Sequence, residues 1–171
     1  LFPLPYESRI REEAAKQGLD PALIYSIIRQ ESLFNTFARS HADAFGLMQL
    51  IPEVATIAAG RLGLKLQSPD DLYDPEFNIP LGTVFLRDLF HRYDGRFVLA
   101  VSAYNANDRA IQGWLRTRMR PDPLEFIEEI PYEETRMYVK LVLRNFVTYQ
   151  RRLNSQQVSF PQWTLRLKAS E

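Results

Sequence analysis

Between Pro21 and Glu31 the apolar residues Leu23, Ile24, Ile27 and Ile28 recur at spacings of three and four, the mark of a helix with one face on a core. Asp20 stands ready to cap that helix and Pro21 suits its first position. Glu31 falls three, four and seven residues after Ile28, Ile27 and Ile24, so it continues the apolar stripe. A carboxyl group on that face is costly unless it is paired or protonated, and burial raises its pKa toward the range of a general acid near neutral pH. The same spacing also permits a helix-terminal glutamate that turns out into solvent.

Helical punctuation continues along the chain. A helix is expected from about Tyr6 to Gln17, ended by Gly18, and another from Pro52 to near Gly60. Ser68-Pro69-Asp70-Asp71 and Asp74-Pro75 have turn chemistry, and a long helix follows from about Asn78 to Tyr93 until Gly95 breaks it. The apolar run from Arg96 to Tyr104 reads as a buried helix, and a further helix is expected from about Asp108 to Arg118. Pro121 to Glu129 reads as a loop with a short helix, and Pro131 opens a last long helix reaching about Leu153. Residues 33–51 lack sustained periodicity and are expected to form a loop, with at most a small β element near residues 41–51. Beyond Asn154 the pattern changes to alternation around Val158, Phe160, Trp163, Leu165 and Leu167, so a tail over 155–171 is set apart from a domain over 1–154.

Composition narrows the function classes. At 171 residues the chain is one domain, long enough to bury about 70% of its unfolded surface. Lys plus Arg and Asp plus Glu are both 21, so no global field favours nucleic acid. No apolar run approaches the length of a membrane span. Cysteine is absent, which removes disulfides and thiol chemistry. The two histidines, His41 and His91, belong to no zinc spacing, so no metal or other cofactor is expected. His91 suits a helix C-terminus, whereas His41 lies in the loop and could touch a ligand. Because the chain begins at Leu1 rather than Met, an upstream segment with any export signal is expected to be missing, and the chain reads as a fragment.

Four segments carry a resemblance. Gln30-Glu31-Ser32-Leu33-Phe34-Asn35 leads to Ala42-Asp43-Ala44-Phe45-Gly46-Leu47-Met48-Gln49-Leu50-Ile51-Pro52. Ala103-Tyr104-Asn105-Ala106 and Ile130-Pro131-Tyr132-Glu133-Glu134-Thr135-Arg136-Met137-Tyr138-Val139 follow. In this order, over roughly residues 5–153, they resemble the catalytic domain of the soluble lytic transglycosylases, goose-type-lysozyme-like enzymes that cut peptidoglycan. The resemblance implies a mainly α, lysozyme-like fold and non-hydrolytic cleavage of the bond between N-acetylmuramic acid and N-acetylglucosamine. Its expected substrate is the peptidoglycan glycan strand, in the periplasm or cell envelope. Phe2-Pro3-Leu4-Pro5-Tyr6 further resembles the junction at which large members pass from an upstream helical domain into the catalytic one.

The same resemblance assigns roles. Glu31 would be the single acid and base, protonating the glycosidic oxygen and then deprotonating the C6 hydroxyl that closes on C1. Ser40 would hydrogen-bond substrate, unless it is an ordinary loop hydroxyl. Gly46 would permit a special backbone conformation or close approach of a sugar. Met48 would offer an apolar surface to a sugar face, or else belong to the core, and Gln49 an amide that donates and accepts. The Tyr104 hydroxyl would reach the reaction centre, Asn105 would pin the adjoining turn, and Glu134 would bind sugar or orient the neighbours of Glu31. Arg136 and Tyr138 are expected to brace the last helix. Asp43 and Asn107 stand where the family usually has glycine, and Thr36 where it usually has proline. Asp43 could be a solvated loop residue or a water-activating base, the latter making the chain a hydrolytic muramidase. A non-catalytic glycan-binding domain is the third reading. Arg109, Arg116, Arg118 and Arg120 are expected to form a solvated face or to meet stem-peptide carboxylates rather than nucleic acid.

Overall fold

The computed structural model describes residues 1–154, so the tail lies outside the described residues. Its helices are α1 (Glu7–Gln17), α2 (Pro21–Ser32), α3 (Pro52–Arg61), α4 (Pro75–Arg92), α5 (Phe97–Asn105), α6 (Asp108–Thr117), α7 (Pro123–Glu129) and α8 (Glu133–Asn154), with a 3₁₀ turn over Pro69–Tyr73 before α4. The Asp20 carboxylate accepts from the Ala22 amide at 2.8 Å, and Gly18 closes α1 with φ +67°. Both ends follow the expected punctuation.

Two expectations change. Asp74-Pro75 does not stand apart as a turn: Asp74 caps α4, accepting from the Glu76 amide at 2.9 Å, so the helix begins at Pro75. Pro80 then lies inside the helix, where it cannot donate to the Glu76 carbonyl. Arg9 of α1 donates to that carbonyl instead, at 3.4 Å. The Pro69 segment is likewise a helical turn rather than an irregular one, closed by a capping box between Ser68 and Asp71.

The core forms where α2 and α8 cross, with α5 beside α8. Every residue from Ala22 to Ile28 is buried, as is every residue from Phe97 to Ala103. Tyr25 of α2 stacks on Tyr149 of α8 with centroids 4.9 Å apart. This crossing carries the end of α2 against the first turns of α8.

The connection from α2 to α3 is held by side chains more than by sheet. Among the described residues, β pairing amounts to isolated antiparallel bridges, Arg39 with Phe45 and Phe45 with Leu50. Asn78 of α4 is fully buried and ties three backbone groups: it accepts from the Met48 amide at 2.8 Å and donates to the Phe45 and Leu72 carbonyls at 2.9 and 2.8 Å. Gly46 sits against this clamp with φ +73°, and a Cβ there would overlap the Leu72 carbonyl and come within 2.5 Å of Asn78 Nδ2. Both conformation and space require glycine.

Candidate active site

Glu31 occupies the last turn of α2, and its Oε1 accepts a 2.6 Å hydrogen bond from the Tyr138 hydroxyl of α8. Its pKa is raised from 4.5 to about 7, chiefly by burial, with the Glu134 charge adding to the rise and the Tyr138 bond opposing it. The stripe that ends in Glu31 does turn the carboxyl inward. The Tyr104 hydroxyl of α5 donates to the Met48 carbonyl at 2.8 Å. Both phenols are pushed well above their ordinary range, first by burial and then by the charge of Glu31.

A cleft of about 570 Å³ opens beside this group, lined by Glu31, Ser40, Gln49, Tyr104, Asn105 and Glu134 among others. A smaller hollow of about 310 Å³ shares Glu31, Asn105 and Glu134 and is otherwise lined by Gln30, Met137, Tyr138 and Leu141. Glu31 therefore stands where two concavities meet. A larger concavity of about 830 Å³ lies between α7 and α8, bordered by Leu124, Glu128, Lys140 and Arg144. Its charges already meet across the rim, Lys140 and Glu128 at 2.6 Å, and none of its lining groups belongs to the Glu31 constellation.

The structure brings together most of the residues singled out by sequence. Asn105 joins α5 to α8: its Oδ1 accepts from the Thr135 hydroxyl at 2.7 Å and its Nδ2 lies 3.5 Å from Glu134 Oε1. Ser40 Oγ accepts from the Ala42 and Ala44 amides at 3.2 and 3.1 Å, which shapes the loop and leaves its hydroxyl proton for the cleft. Gln49 commits both amide protons inward, to the Ala38 and Gly46 carbonyls at 3.1 and 2.8 Å. It therefore presents an acceptor to the cleft rather than an amide that does both.

At Met48, Gly46 and Asp43 the structure chooses between the readings that the sequence leaves open. The Met48 side chain is wholly buried against Gly82, so it offers no surface to a sugar, and its contribution is the carbonyl that holds Tyr104. Gly46 has the special backbone conformation, φ +73°, and it faces Asn78 and Leu72 rather than a sugar. Asp43 has φ +54° and pairs with Arg39 at 2.6 Å, both side chains more than half exposed, and it does not line the cleft. Asn107, where the family usually has glycine, is extended at φ 169° and caps α6 by accepting from the Ala110 amide at 2.9 Å. His41 is exposed and lines neither the cleft nor the hollow.

The profile of the family described as the transglycosylase SLT domain matches residues 8–127. The chain belongs to this family. Soluble lytic murein transglycosylase of Escherichia coli K12 is 35% identical over 144 residues, covering 83% of this chain and 22% of that relative. Membrane-bound lytic murein transglycosylase C of Salmonella typhi is 32% identical over 168 residues, covering 86% and 47%. Among solved structures, an inactive mutant of the lytic transglycosylase Slt from Pseudomonas aeruginosa superposes with a TM-score of 0.86 at 38% identity, covering 91% of this chain and 25% of that one. The 70-kDa soluble lytic transglycosylase of Escherichia coli gives 0.84 at 33% identity, covering 89% and 25%. The chain thus spans about a quarter of the length of these soluble relatives, and its mainly α, lysozyme-like architecture is theirs.

Sequence reasoning missed the partner of Glu31. Tyr138 was expected to brace α8, yet its hydroxyl is the hydrogen-bond donor to Glu31. A phenol on the apolar stripe of a long helix reads as core, and its ring is indeed core, 5% exposed. The available signal was that a buried phenol must find an acceptor, and that Glu31 was the carboxyl in need of a donor.

Proposed function

We propose that this SLT domain is a peptidoglycan lytic transglycosylase, acting on glycan strands in the periplasm or cell envelope. It cleaves the β-1,4 bond between N-acetylmuramic acid and N-acetylglucosamine and leaves a 1,6-anhydro-N-acetylmuramic acid end. The observation that carries this reading is the position of Glu31: a desolvated carboxyl at the junction of two concavities, with its pKa at about 7. A group with that pKa is substantially protonated near neutral pH yet still competent as a base once it has lost its proton.

The steps balance on one carboxyl. Glu31 gives its proton to the glycosidic oxygen as the bond to C1 breaks. The resulting carboxylate takes the proton of the C6 hydroxyl as O6 bonds to C1, which restores the acid. No water is consumed, and the nucleophile belongs to the same sugar, so its effective concentration is high. Ser40, Gln49, Tyr104, Asn105 and Glu134 form the polar wall against which the sugars would be oriented. Gly46 and Met48 support that wall from behind. The relative crystallised as an inactive mutant carries a glutamate-to-glutamine exchange, the change that should silence a single-carboxyl mechanism.

Mass spectrometry of digested sacculi tests the reading. Anhydro ends, lighter by one water than reducing ends, are expected as the dominant product; predominantly reducing ends would establish the hydrolytic muramidase instead. Asp43→Gly gives a further test. The left-handed backbone at this position suits glycine, and an exposed ion pair contributes little. The variant should therefore keep anhydro-product formation within a fewfold of the parent and its midpoint within a few degrees. Loss of turnover in a folded Asp43→Gly variant would return Asp43 to the mechanism.

A further inference from the structure

The turn over residues 39–45 has two faces, and the mechanism uses one of them. The Ser40 amide donates to the Ala44 carbonyl at 3.0 Å, and both residues line the cleft. Arg39 and Phe45, the next pair outward in an antiparallel bridge, therefore project from the opposite face. There the Arg39 guanidinium lies 5.0 Å from the centre of the Phe45 ring. Phe45 meets Tyr73 edge-on at 5.5 Å, and Tyr73 meets Phe37 at 5.9 Å. Phe37, Arg39 and Tyr73 line neither the cleft nor the hollow.

Phe37 ends this row of rings and is 76% exposed. Its backbone is nevertheless fixed. Asn35 Oδ1 accepts from the Phe37 amide at 3.0 Å, and the Ala38 carbonyl holds the Gly46 amide at 2.8 Å. A lone exposed phenylalanine would need no explanation. This one stands two residues from a built polar pair: Arg39 Nε and Nη2 both donate to Asp43 Oδ1, at 3.1 and 2.6 Å. Both bonds fall on Oδ1, which leaves Oδ2 to accept from a ligand. Asp43 keeps its place with φ +54°, a backbone that glycine, the usual residue of the family, adopts without strain. An exposed ion pair adds little stability, so a strained carboxylate retained there has a use outside the fold.

We infer that this outer face, Phe37 with Tyr73, Arg39 and Asp43, is a second glycan contact that takes a strand of N-acetylhexosamines outside the cleft. The axial C–H bonds of a pyranose make one sugar face apolar and slightly positive, which suits the negative π face of an exposed ring. The Arg39–Asp43 pair sets donors beside an acceptor, as sugar hydroxyls and acetamido groups require. Asp43 balances Arg39, and Asp70 lies within electrostatic reach of the same guanidinium, so the face has no positive excess to draw a nucleic acid or an anionic membrane. The inference rests on the peptidoglycan reading and adds an anchoring site to it. Because that substrate is a polymer, one turn can be held between the sugars being cut and a stretch that is not, which raises retention without entering the chemistry.

Glu31→Gln, which should hold strands without cutting them, serves as the binding probe, co-sedimented with intact sacculi and with sacculi freed of stem peptides. Adding Phe37→Ala should raise the apparent Kd on both roughly threefold to tenfold, as for loss of one aromatic contact. Phe37→Trp should bind at least as well as the parent, and Phe37→Leu, apolar but without a π face, should fall with the alanine variant. In the active domain Phe37→Ala should raise KM on sacculi by a similar factor and leave kcat unchanged. Turnover of a tetrasaccharide, which occupies the cleft alone, should not change. The exposed ring supports little of the fold, so the midpoint should stay within about two degrees of the parent. Unchanged affinity in Phe37→Ala, full affinity in Phe37→Leu, or an effect of Phe37 that vanishes with the stem peptides would each overturn the inference. If the Phe37 variants bind like the parent while the parent still releases anhydro ends, only this inference fails. A parent that neither binds sacculi nor releases such ends removes the peptidoglycan reading, and the anchoring site with it.

Discussion

Glu31→Gln is expected to abolish turnover and, at alkaline pH, to make the domain more stable. The first effect should reach at least roughly a thousandfold, because among the described residues lining the cleft Glu31 is the carboxyl that burial holds protonated near neutral pH. The second follows from burial. The carboxyl has its ordinary value of 4.5 in the unfolded chain and about 7 in the folded one. Below about pH 4.5 it is protonated in both states and costs nothing. Between there and about pH 7 the unfolded chain releases the proton while the folded one holds it, so stability falls as pH rises. Above pH 7 the full cost persists, at most about 3 kcal/mol from a shift of this size. Glutamine carries no charge at any pH and still offers Tyr138 an acceptor. The gain in thermal midpoint over the parent should therefore be clear at pH 8 and small at pH 4. An equal difference at both pH values would mean that Glu31 is not desolvated, and the acid assignment would lose its physical basis. Gain of stability on loss of a catalytic group is the behaviour of a site whose strain belongs to its chemistry.

The helices were legible wherever their ends are set by neighbours in sequence. Asp20 before Pro21 and Gly18 after Gln17 act through local geometry, and the observed bounds of α1 and α2 follow them closely. The start of α4 was misplaced because Asp74-Pro75 reads equally as a turn or as a cap with proline at the first position. The structure chooses the cap, and Pro80 is tolerated inside α4 with Arg9, a residue of another helix, reaching the Glu76 carbonyl. No local pattern carries that information. The candidate site divides in the same way. Glu31 could be read from its stripe, whereas Tyr138 could not, because a tyrosine's ring and hydroxyl make opposite demands and the helix crossing alone decides which is met where. Met48 stays open between sugar face and core in the sequence because the left-handed backbone at Gly46 and Gln49 sets which side of the loop faces the core, and a motif of letters does not state that side.

Asn78 joins fold to site, and its replacement should have a large effect on stability. Its side chain is fully buried and makes hydrogen bonds to Met48, Phe45 and Leu72 backbone groups. Asn78→Leu keeps the branching of the side chain but adds methyl bulk and strips these partners from one buried amide and two buried carbonyls. Each such group costs roughly 1–3 kcal/mol when left unpaired, so the loss should be at least about 3 kcal/mol. Against the roughly 5–15 kcal/mol that holds a typical domain folded, that is a large fraction. For a domain of this size it corresponds to a fall in midpoint on the order of 10 °C. The consequence extends to the cleft, since the Met48 carbonyl that fixes the Tyr104 hydroxyl is on the peptide unit next to the amide Asn78 holds. The surviving folded fraction should thus lose activity as well, because the loop that Asn78 clamps carries Gln49 and the Met48 carbonyl to which the Tyr104 hydroxyl of α5 is held. Thermal melting and anhydro-product rate on the same preparation check both halves. A midpoint within about two degrees of the parent, with activity intact, would show that the loop holds its shape without Asn78 and that the wall of the cleft is built by its own turns.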